Sequence, residues 1–217
     1  MSDVVFRVAL PLFWLCLVVG LAGNRRRVRR QLGHDPVVAK PWLKGDTPTG
    51  YLERTFAVAA LLATVDVALN ALSPATVADA LAIRWLRTSS IVATGGLVLL
   101  TLGLAEAAVG IHQMGSAWRV GIDHKTPGPL VSRGLFARVR HPIYGGMLLA
   151  TAGLAAVTAD LVSIGVAATT WVSLPVQARL EEAFLLARYP EEYPTYASMT
   201  GRFWPKMRST FSAPWPS

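Results

Sequence analysis

Long apolar segments alternate with shorter polar segments along this chain. The apolar segments cover residues 4–21, 56–72, 89–111 and 143–176. A helix that crosses a membrane needs about 20 mainly apolar residues, so each of the first three segments predicts one span. The last segment is too long for one span and is divided by Asp160, which predicts two helices joined by a tight turn. The pattern therefore predicts an all-α, polytopic membrane helix bundle with about five transmembrane helices and a C-terminal helical hairpin.

The composition agrees with a membrane protein. Of the 217 residues, 53% are hydrophobic and only 16% are charged, which is too apolar for an ordinary soluble domain. We expect a single integral membrane domain over 1–217, because the spans and their connections occupy a chain of this length. Cys16 is the one cysteine, so neither a disulfide framework nor a thiolate zinc site is expected.

Basic residues set the expected orientation. Arginines cluster at residues 25–30 and recur over residues 119–140. Since positive residues beside spans stay in the cytoplasm, an outside N-terminus places both clusters and the C-terminus on that side. The first segment follows Asp3 and not a basic cluster, which favours a retained anchor over a cleaved signal peptide. The frequent use of Ala, Arg and Val is typical of bacteria, so we expect a bacterial inner membrane.

The formal net charge of +8 has a similar explanation. The arginines adjoin apolar segments and do not form basic strips interleaved with aromatic residues. We therefore expect contact with the anionic head groups of the bilayer, and no binding of nucleic acid.

Three of the polar residues inside the predicted spans are candidates for a buried or functional role. Asp66 and Asn70 have the i, i+4 spacing of one helix face, and we expect that face to point into the bundle. They lie near the outer end of their span, where we expect interfacial water to reach them. Glu106 lies deeper in the third span, and a carboxylate there either borders a polar cavity or makes a structural hydrogen bond.

Small residues recur at helical spacing in two spans, where they allow close approach of another backbone. In the third span we expect them to serve helix packing, and in the first arm of the hairpin we expect them to meet the second arm. The residues are Gly96, Gly103, Ala107 and Gly110 in the third span, and Gly146, Ala150 and Gly153 in the hairpin.

Two polar segments, 128–146 and 179–205, flank the hairpin. The hairpin brings them to one end of the bundle. Pro142 suits the first turn of a helix, so Arg140 and His141 stand at a helix N-terminus that favours an anion. Glu181 and its neighbour Glu182 offer acceptors for a cation, and tyrosines lie nearby. A zwitterionic amino acid that carries a sulfonium and an adenine matches this set of groups.

These two segments carry a family resemblance. Gly134-Leu-Phe-Ala-Arg-Val-Arg-His-Pro-Ile-Tyr144 precedes the hairpin, and Glu181-Glu182, Glu191-Glu192-Tyr193, Tyr196 and Arg202-Phe-Trp-Pro205 follow it. The order and spacing resemble the isoprenylcysteine carboxyl methyltransferase and phospholipid methyltransferase superfamily over about the last hundred residues. The resemblance implies that 113–217 is the catalytic half with a cytoplasmic-side cofactor site, after N-terminal spans in 1–112.

The resemblance also implies a methyl donor, S-adenosylmethionine, and a lipid or apolar small-molecule acceptor. By matching motif positions, the cofactor-binding residues are Leu130, Val131, Phe136, His141, Pro142, Tyr144, Glu181 and Glu182. His141 and Arg140 are the expected catalytic residues, because His141 suits a proton-accepting role if the acceptor needs deprotonation. Glu106, Gln177 and Arg179 are the expected substrate residues.

The chain departs from the family pattern at several positions. Phe136 stands where the family usually has tyrosine, and Tyr189-Pro190 replaces the usual Phe-Gly. Gln177 occupies the position of an arginine that prenylcysteine enzymes are thought to use for the substrate carboxylate, although Arg179 is close. The glutamine at position 177 argues against prenylcysteine as the substrate.

Two other functions remain open from the sequence. A membrane reductase of the same fold would use NADPH, and a membrane adaptor would keep the bundle without catalysis. Metal catalysis is not expected, because His34, His112 and His124 are isolated from one another.

Overall fold

The computed structural model describes residues 5–38, 47–72, 80–122 and 128–206. A π-helical turn, Val5–Ala9, leads into α1. The α-helices are α1 (Leu10–Leu32), α2 (Pro48–Leu72), α3 (Arg84–Arg87), α4 (Ser90–Met114), α5 (Pro142–Thr158), α6 (Leu161–Arg188) and α7 (Glu192–Met199), with 3-10 turns at Gly115–Ala117 and Gly134–Ala137. Within the described residues the chain forms no β-sheet, which confirms the predicted all-α fold.

Four of these helices are long and apolar enough to cross a membrane: α1, α2, α4 and α6. The fifth predicted span, α5, has 17 residues and is therefore about 25 Å long at the α-helical rise. It is shorter than the others because it begins at Pro142, directly after the polar segment that precedes the hairpin. The predicted polytopic bundle with a C-terminal hairpin is confirmed.

The hairpin turns where the sequence predicts, at Ala159 and Asp160. Ala159 has a left-handed backbone conformation with φ 48°. The carboxylate of Asp160 then accepts a hydrogen bond from the backbone N–H of Ser163 at 2.9 Å and so caps α6. This local chemistry ends one apolar helix and begins the next without leaving the bundle.

The small residues of α5 pack against α4 and not against α6. A Cβ added at Gly96 would lie 2.9 Å from the carbonyl oxygen of Gly153, and one added at Gly146 would lie 2.7 Å from the backbone nitrogen of Ala107. The expectation that the α5 residues serve the hairpin crossing is therefore wrong. The small residues of α4 and those of α5 face each other, because two glycine-lined helices approach more closely than either can approach a helix with large side chains.

The buried core of the bundle lies among α1, α2, α4, α5 and α6. Leu10, Ala63, Leu100, Leu154 and Val166 are among its buried residues. Many large apolar side chains point outward from the bundle, as expected of helices that face lipid.

A buried polar cluster closes the end of the bundle opposite to the arginine-rich end. The Asn70 amide donates to Asp66 Oδ1 and to Asp160 Oδ2, each at 3.2 Å. Arg87 Nη2 donates to Asn70 Oδ1 at 3.1 Å. The prediction that Asp66 and Asn70 face the bundle is correct. The expected access to interfacial water is wrong, because their exposed fractions are 2% and 0% and α6 supplies Asp160 as their partner.

Candidate functional site

The entry to α5 is fixed by a short pairing with the C-terminal segment. The backbone N–H groups of Arg140 and His141 donate to the carbonyl oxygens of Gly201 and Arg202 at 2.8 and 2.9 Å. Pro142 then occupies the first turn of α5, where its missing N–H leaves no donor unsatisfied. His141 and Arg140 are therefore held at the helix N-terminus by backbone contacts that do not depend on their side chains.

The exit from the hairpin lies on one continuous helix. Pro175 lies inside α6, yet the helix runs on to Arg188. Glu181 and Glu182 therefore lie on the same helix as the apolar residues that contact α5. Because α5 begins where this part of α6 ends, the two polar segments meet at the arginine-rich end of the bundle, as the sequence predicts.

Glu182 is held by two arginines. Arg140 Nε donates to Glu182 Oε1 at 2.9 Å, and Arg202 Nη2 donates to Glu182 Oε2 at 2.6 Å. The Glu182 bond and charge raise the pKa of Arg202 above its usual value, against the smaller opposing effect of burial. Arg140 also donates to the carbonyl oxygens of Ala197 and Thr200. This network ties α5, α6 and the C-terminal segment together.

Glu181 has neutral partners. The hydroxyl of Tyr144 and the amide of Gln177 both donate to Glu181 Oε1, the amide at 2.9 Å. Its other oxygen, Oε2, lies 3.7 Å from His141 Nδ1, beyond hydrogen-bond distance. One carboxylate oxygen of Glu181 is thus without a close donor among the described residues, whereas both oxygens of Glu182 are engaged.

His141 lies between the two glutamates. Its side chain is buried, and its ring stacks on Tyr144 with centroids 5.4 Å apart and tilts against Phe203 at 6.1 Å. His141 Nε2 lies 3.3 Å from Glu182 Oε1 without hydrogen-bond geometry. Nε2 and the amide oxygen of Gln177 are shielded from solvent and have no hydrogen-bond partner among the described residues. Unpaired buried polar atoms of this kind are costly, and a bound ligand or water would satisfy them.

Glu106 lies beside the first turn of α5. A Cβ added at Gly145 would lie 3.4 Å from Glu106 Oε1 and 2.9 Å from the carbonyl oxygen of Phe203. Within the described ranges the carboxylate has no hydrogen-bond partner, so the structural hydrogen bond weighed from the sequence is not found there. Its position near Gly145 favours the other alternative, the border of a polar site.

The segment before the hairpin forms one side of this region. Phe136 is buried, and its carbonyl oxygen accepts a hydrogen bond from the hydroxyl of Tyr196 at 2.8 Å. Burial raises the pKa of Tyr196 to about 12. Leu130 and Val131 are half-buried. The family-atypical Tyr189 anchors the beginning of this segment, because its hydroxyl donates to the carbonyl oxygen of Gly128 at 2.6 Å.

Other predicted residues lie outside this arrangement. Arg179 is exposed and makes no hydrogen bond or ion pair with the residues that the structure describes. Tyr193 is buried, and burial raises its pKa, as expected for a residue that packs α7 against the bundle. Glu191 and Glu192 of the C-terminal motif are exposed.

The histidines within the described residues do not form a cluster. Among the described residues no group of three metal-ligating side chains occurs, and His124 lies outside them. His112 Nδ1 instead lies 3.2 Å from Arg27 Nη1.

Sequence reasoning did not assign Arg202, Phe203 or Gln113 to the site. Arg202 and Phe203 were visible only as part of the C-terminal motif. The amide oxygen of Gln113 accepts from the backbone N–H of Leu135 at 2.7 Å and so positions the turn before Phe136. An isolated glutamine before a polar loop gives no sequence signal for such a contact.

Comparison with known proteins agrees with this architecture. Residues 91–192 match the family model described as phospholipid methyltransferase. Over 112 residues the chain is 33% identical to the cobalt-zinc-cadmium resistance protein CzcN of Cupriavidus metallidurans, a match that covers 51% of this chain and 50% of that protein. The chain thus spans about half the length of this curated relative.

A solved structure provides a match for most of the bundle. The eukaryotic intramembrane Ras methyltransferase, isoprenylcysteine carboxyl methyltransferase, aligns with 88% of this chain and 73% of its own, with a TM-score of 0.52 and 19% sequence identity. That likeness shows a shared fold.

The fold and the helices define an integral, multi-pass membrane protein. Residues 91–192 match the phospholipid methyltransferase family, and the fold is shared with isoprenylcysteine carboxyl methyltransferase, so the two comparisons together confirm the resemblance found in the sequence.

Proposed function

We propose that this protein transfers a methyl group from S-adenosylmethionine to an apolar, isoprenoid or other lipid-like acceptor at the cytoplasmic face of a bacterial inner membrane. The observation that carries the proposal is the convergence of His141 and Tyr144 with Glu181 and Glu182 at the arginine-rich end of the bundle. We place the catalytic half at 113–217 and the N-terminal spans at 1–112. The arginine-rich end faces the cytoplasm by the positive-inside rule.

The residues present fit this cofactor. Glu181 offers a carboxylate oxygen without a close donor, suited to the ammonium group of an amino acid. Gln177 Oε1 and His141 Nε2 are buried polar atoms that lack partners. Tyr144 offers a ring surface that attracts a cation such as a sulfonium. Leu130, Val131, Phe136 and Pro142 supply the apolar wall of the proposed cofactor site.

The two glutamates take different roles in this proposal. Both oxygens of Glu182 are already bonded to arginines, so it positions Arg140 and Arg202. Glu181 is the cofactor ligand, because its partners are neutral and exchangeable. Arg140, whose charge is shared with Glu182, would hold the carboxylate of the bound amino acid.

S-adenosylmethionine supplies, when bound, a methyl group already activated on a sulfonium. The chain's own residues therefore need to align donor and acceptor and exclude water. His141 is buried and is suited to accept a proton at Nε2, which serves a thiol, amine or hydroxyl acceptor. Glu106 and Gln177 border the side on which we place the acceptor, whereas Arg179 is exposed and is a weaker substrate candidate.

A direct test compares cofactor binding by the full chain and matched variants in detergent. We expect Glu181→Gln to weaken S-adenosylmethionine binding by about 1.5 to 3 kcal/mol, the range for a charge-assisted hydrogen bond. Glu192→Gln removes an exposed carboxylate on α7 and leaves the affinity unchanged. Equal affinity of the two variants by calorimetric titration contradicts the role of Glu181.

The same preparation separates the alternatives. A methyltransferase gains thermal stability from S-adenosylmethionine, since a ligand that binds the folded state stabilises it, and it transfers radiolabelled methyl groups into a membrane lipid extract. The NADPH-dependent reductase is not favoured, because the matched family is a methyltransferase family. Oxidation of NADPH in the presence of the same extract would instead support the reductase. A lack of response to either cofactor would support the adaptor.

A further inference from the structure

Helix α1 contacts the bundle mainly near its two ends. Its buried residues are Leu10, near the N-terminus, and Val28, near the C-terminus. Between them α1 stands away from α4 and leaves an open groove of about 570 Å³. Its apolar walls include Phe13, Leu17 and Leu21 from α1, and Leu104, Ala108 and Ile111 from α4.

The groove has the length of one lipid chain in one leaflet. The α1 residues that line it run from Phe13 to Arg27, and the apolar part between Phe13 and Asn24 is about 16 Å long at the α-helical rise. Half of a hydrocarbon core of about 30 Å has nearly the same depth. An acyl chain that enters from the arginine-rich face therefore fills the groove to its end.

A positive charge without a carboxylate partner lies at the polar end of the groove. Arg27 donates to Asn24 Oδ1 at 2.8 Å and contacts His112 Nδ1 at 3.2 Å. Neither of these partners is a carboxylate, and no carboxylate of the described residues pairs with Arg27. Arg27 Nε and Asn24 Nδ2 are in addition shielded donors without a hydrogen-bond partner in the described part of the chain.

More positive charge surrounds this end. Arg26, Arg29 and Arg30 line a neighbouring hollow together with Gly33. On the same helix, Arg25 is paired with Asp35. An anionic group that docks at Arg27 is therefore attracted by several neighbouring arginines, whereas a zwitterionic head group gains much less.

We propose that the groove between α1 and α4 is a binding site for one anionic phospholipid, with an acyl chain along the groove and the phosphate at Arg27 and Asn24. The site is separate from the proposed methyl-donor site. Leu104 and Ala108 line the groove, whereas Glu106 and Gly110 of the same helix face the first turn of α5. The proposal does not depend on the methyltransferase reaction, and its test requires no turnover.

Two glycines allow the groove to be filled without disturbing the protein. Gly20 and Gly23 line it, and a Cβ added at either position meets nothing within 4 Å. Gly20→Leu therefore puts a side chain where the acyl chain would lie. Gly95→Leu is the matched control, because Gly95 has equal free space on α4 and does not line the groove.

The experiment measures the thermal midpoint of the full chain in neutral detergent during titration with short-chain phosphatidylglycerol, phosphatidylcholine or inorganic phosphate. We expect stabilisation by phosphatidylglycerol alone in the native chain and in Gly95→Leu. Gly20→Leu and Arg27→Gln lose it, with apparent affinity falling about tenfold or more, as for one lost charge-assisted hydrogen bond. Arg30→Gln, which removes the same charge outside the groove, loses much less of it.

Several results would overturn the proposal. Equal stabilisation by phosphatidylcholine shows that the groove takes any apolar chain, and stabilisation by inorganic phosphate shows a simple anion site. Equal losses in Arg27→Gln and Arg30→Gln show only a general attraction to charge. A chain that is dimeric in mild detergent and becomes monomeric in Gly20→Leu assigns the groove to a second copy of the protein.

Discussion

Arg140 Nε lies 2.9 Å from Glu182 Oε1, although 42 residues and an entire helical hairpin separate the two in the chain. Arg202 reaches the other oxygen of the same carboxylate from the C-terminal segment. Hydrogen bonds to Glu182 therefore connect three parts of the chain at the proposed site.

Glu182→Ala tests this role. The substitution leaves two arginines without their shared counter-charge, and the Arg140 and Glu182 side chains are only 12% and 15% exposed. We expect a loss of about 3 kcal/mol in the free energy of unfolding, the usual cost of removing one partner from a buried ion pair. Reversible unfolding in mixed micelles measures it. Glu192→Ala, at an exposed position of α7, is the control and should remain within about 0.5 kcal/mol of the native chain.

A double-mutant cycle refines this test. If Glu182 and Arg202 act as a pair, Glu182→Ala combined with Arg202→Ala costs less than the sum of the single changes. Strict additivity of the two changes would show that the Glu182–Arg202 contact contributes nothing to stability.

The packing of α4 against α5 predicts opposite effects for two glycines of α4. A Cβ at Gly103 would lie 2.9 Å from Leu149 Cβ and even nearer to α5 backbone atoms, which cannot move aside. We expect Gly103→Ala to destabilise the protein by about 2 kcal/mol through overpacking. Gly95→Ala meets open space and should stabilise α4 by up to about 1 kcal/mol, through helix propensity alone. Similar thermal midpoints for the two variants would contradict the close packing of these helices.

In the buried polar cluster at the opposite end of the bundle, we expect Asp160 and Asp66 to contribute differently to stability. Asp160 caps α6 at Ser163 and accepts from Asn70, so Asp160→Ala should cost about 3 kcal/mol through the lost cap and an unsatisfied buried amide. Asp66→Asn keeps the one oxygen that accepts from Asn70 and should cost less than about 1 kcal/mol. Unfolding of both variants under one condition gives the comparison, and a larger loss in Asp66→Asn would reverse the assignment.

Because the hydroxyl of Tyr196 is buried, we expect the protein to lose stability at alkaline pH. Burial raises its pKa in the folded protein to about 12, against about 10 for an exposed tyrosine. The folded state therefore holds the phenolic proton more tightly than the unfolded state. The contribution of the buried Tyr196 hydroxyl to the free energy of unfolding is complete below pH about 10. It disappears as the pH rises through about 12.

The ultraviolet absorbance of tyrosinate follows the ionisation of this group directly. The difference between the native chain and Tyr196→Phe should titrate near pH 12, and the native chain should lose stability more steeply than the variant above pH about 10. A difference titration centred near pH about 10 would show that the Tyr196 hydroxyl is exposed.

The number of helices and the place of the hairpin turn could be predicted from local sequence. Apolar length marks a span, and Asp160 interrupts the last apolar segment where a cap is needed, as the structure shows at Ser163. The juxtaposition of His141 with Glu181 and Glu182 followed from the same reasoning, because a hairpin returns the chain to the end at which it began.

The helix against which the small residues of α5 pack could not be predicted from local sequence. Gly146 and Gly153 looked suited to the neighbouring arm of the hairpin, but they face α4. A small residue allows a close approach without specifying which helix approaches.

By itself, the sequence determined the membrane bundle, its hairpin and the pair of polar segments that meet at one end, because helix period, apolar length and chain direction are local properties. Only the tertiary structure decided that Arg202 shares Glu182 with Arg140, and that Asp66 and Asn70 are buried against Asp160. These contacts join residues 20 to 90 positions apart, and their selection depends on the packing of whole helices, which no single segment encodes.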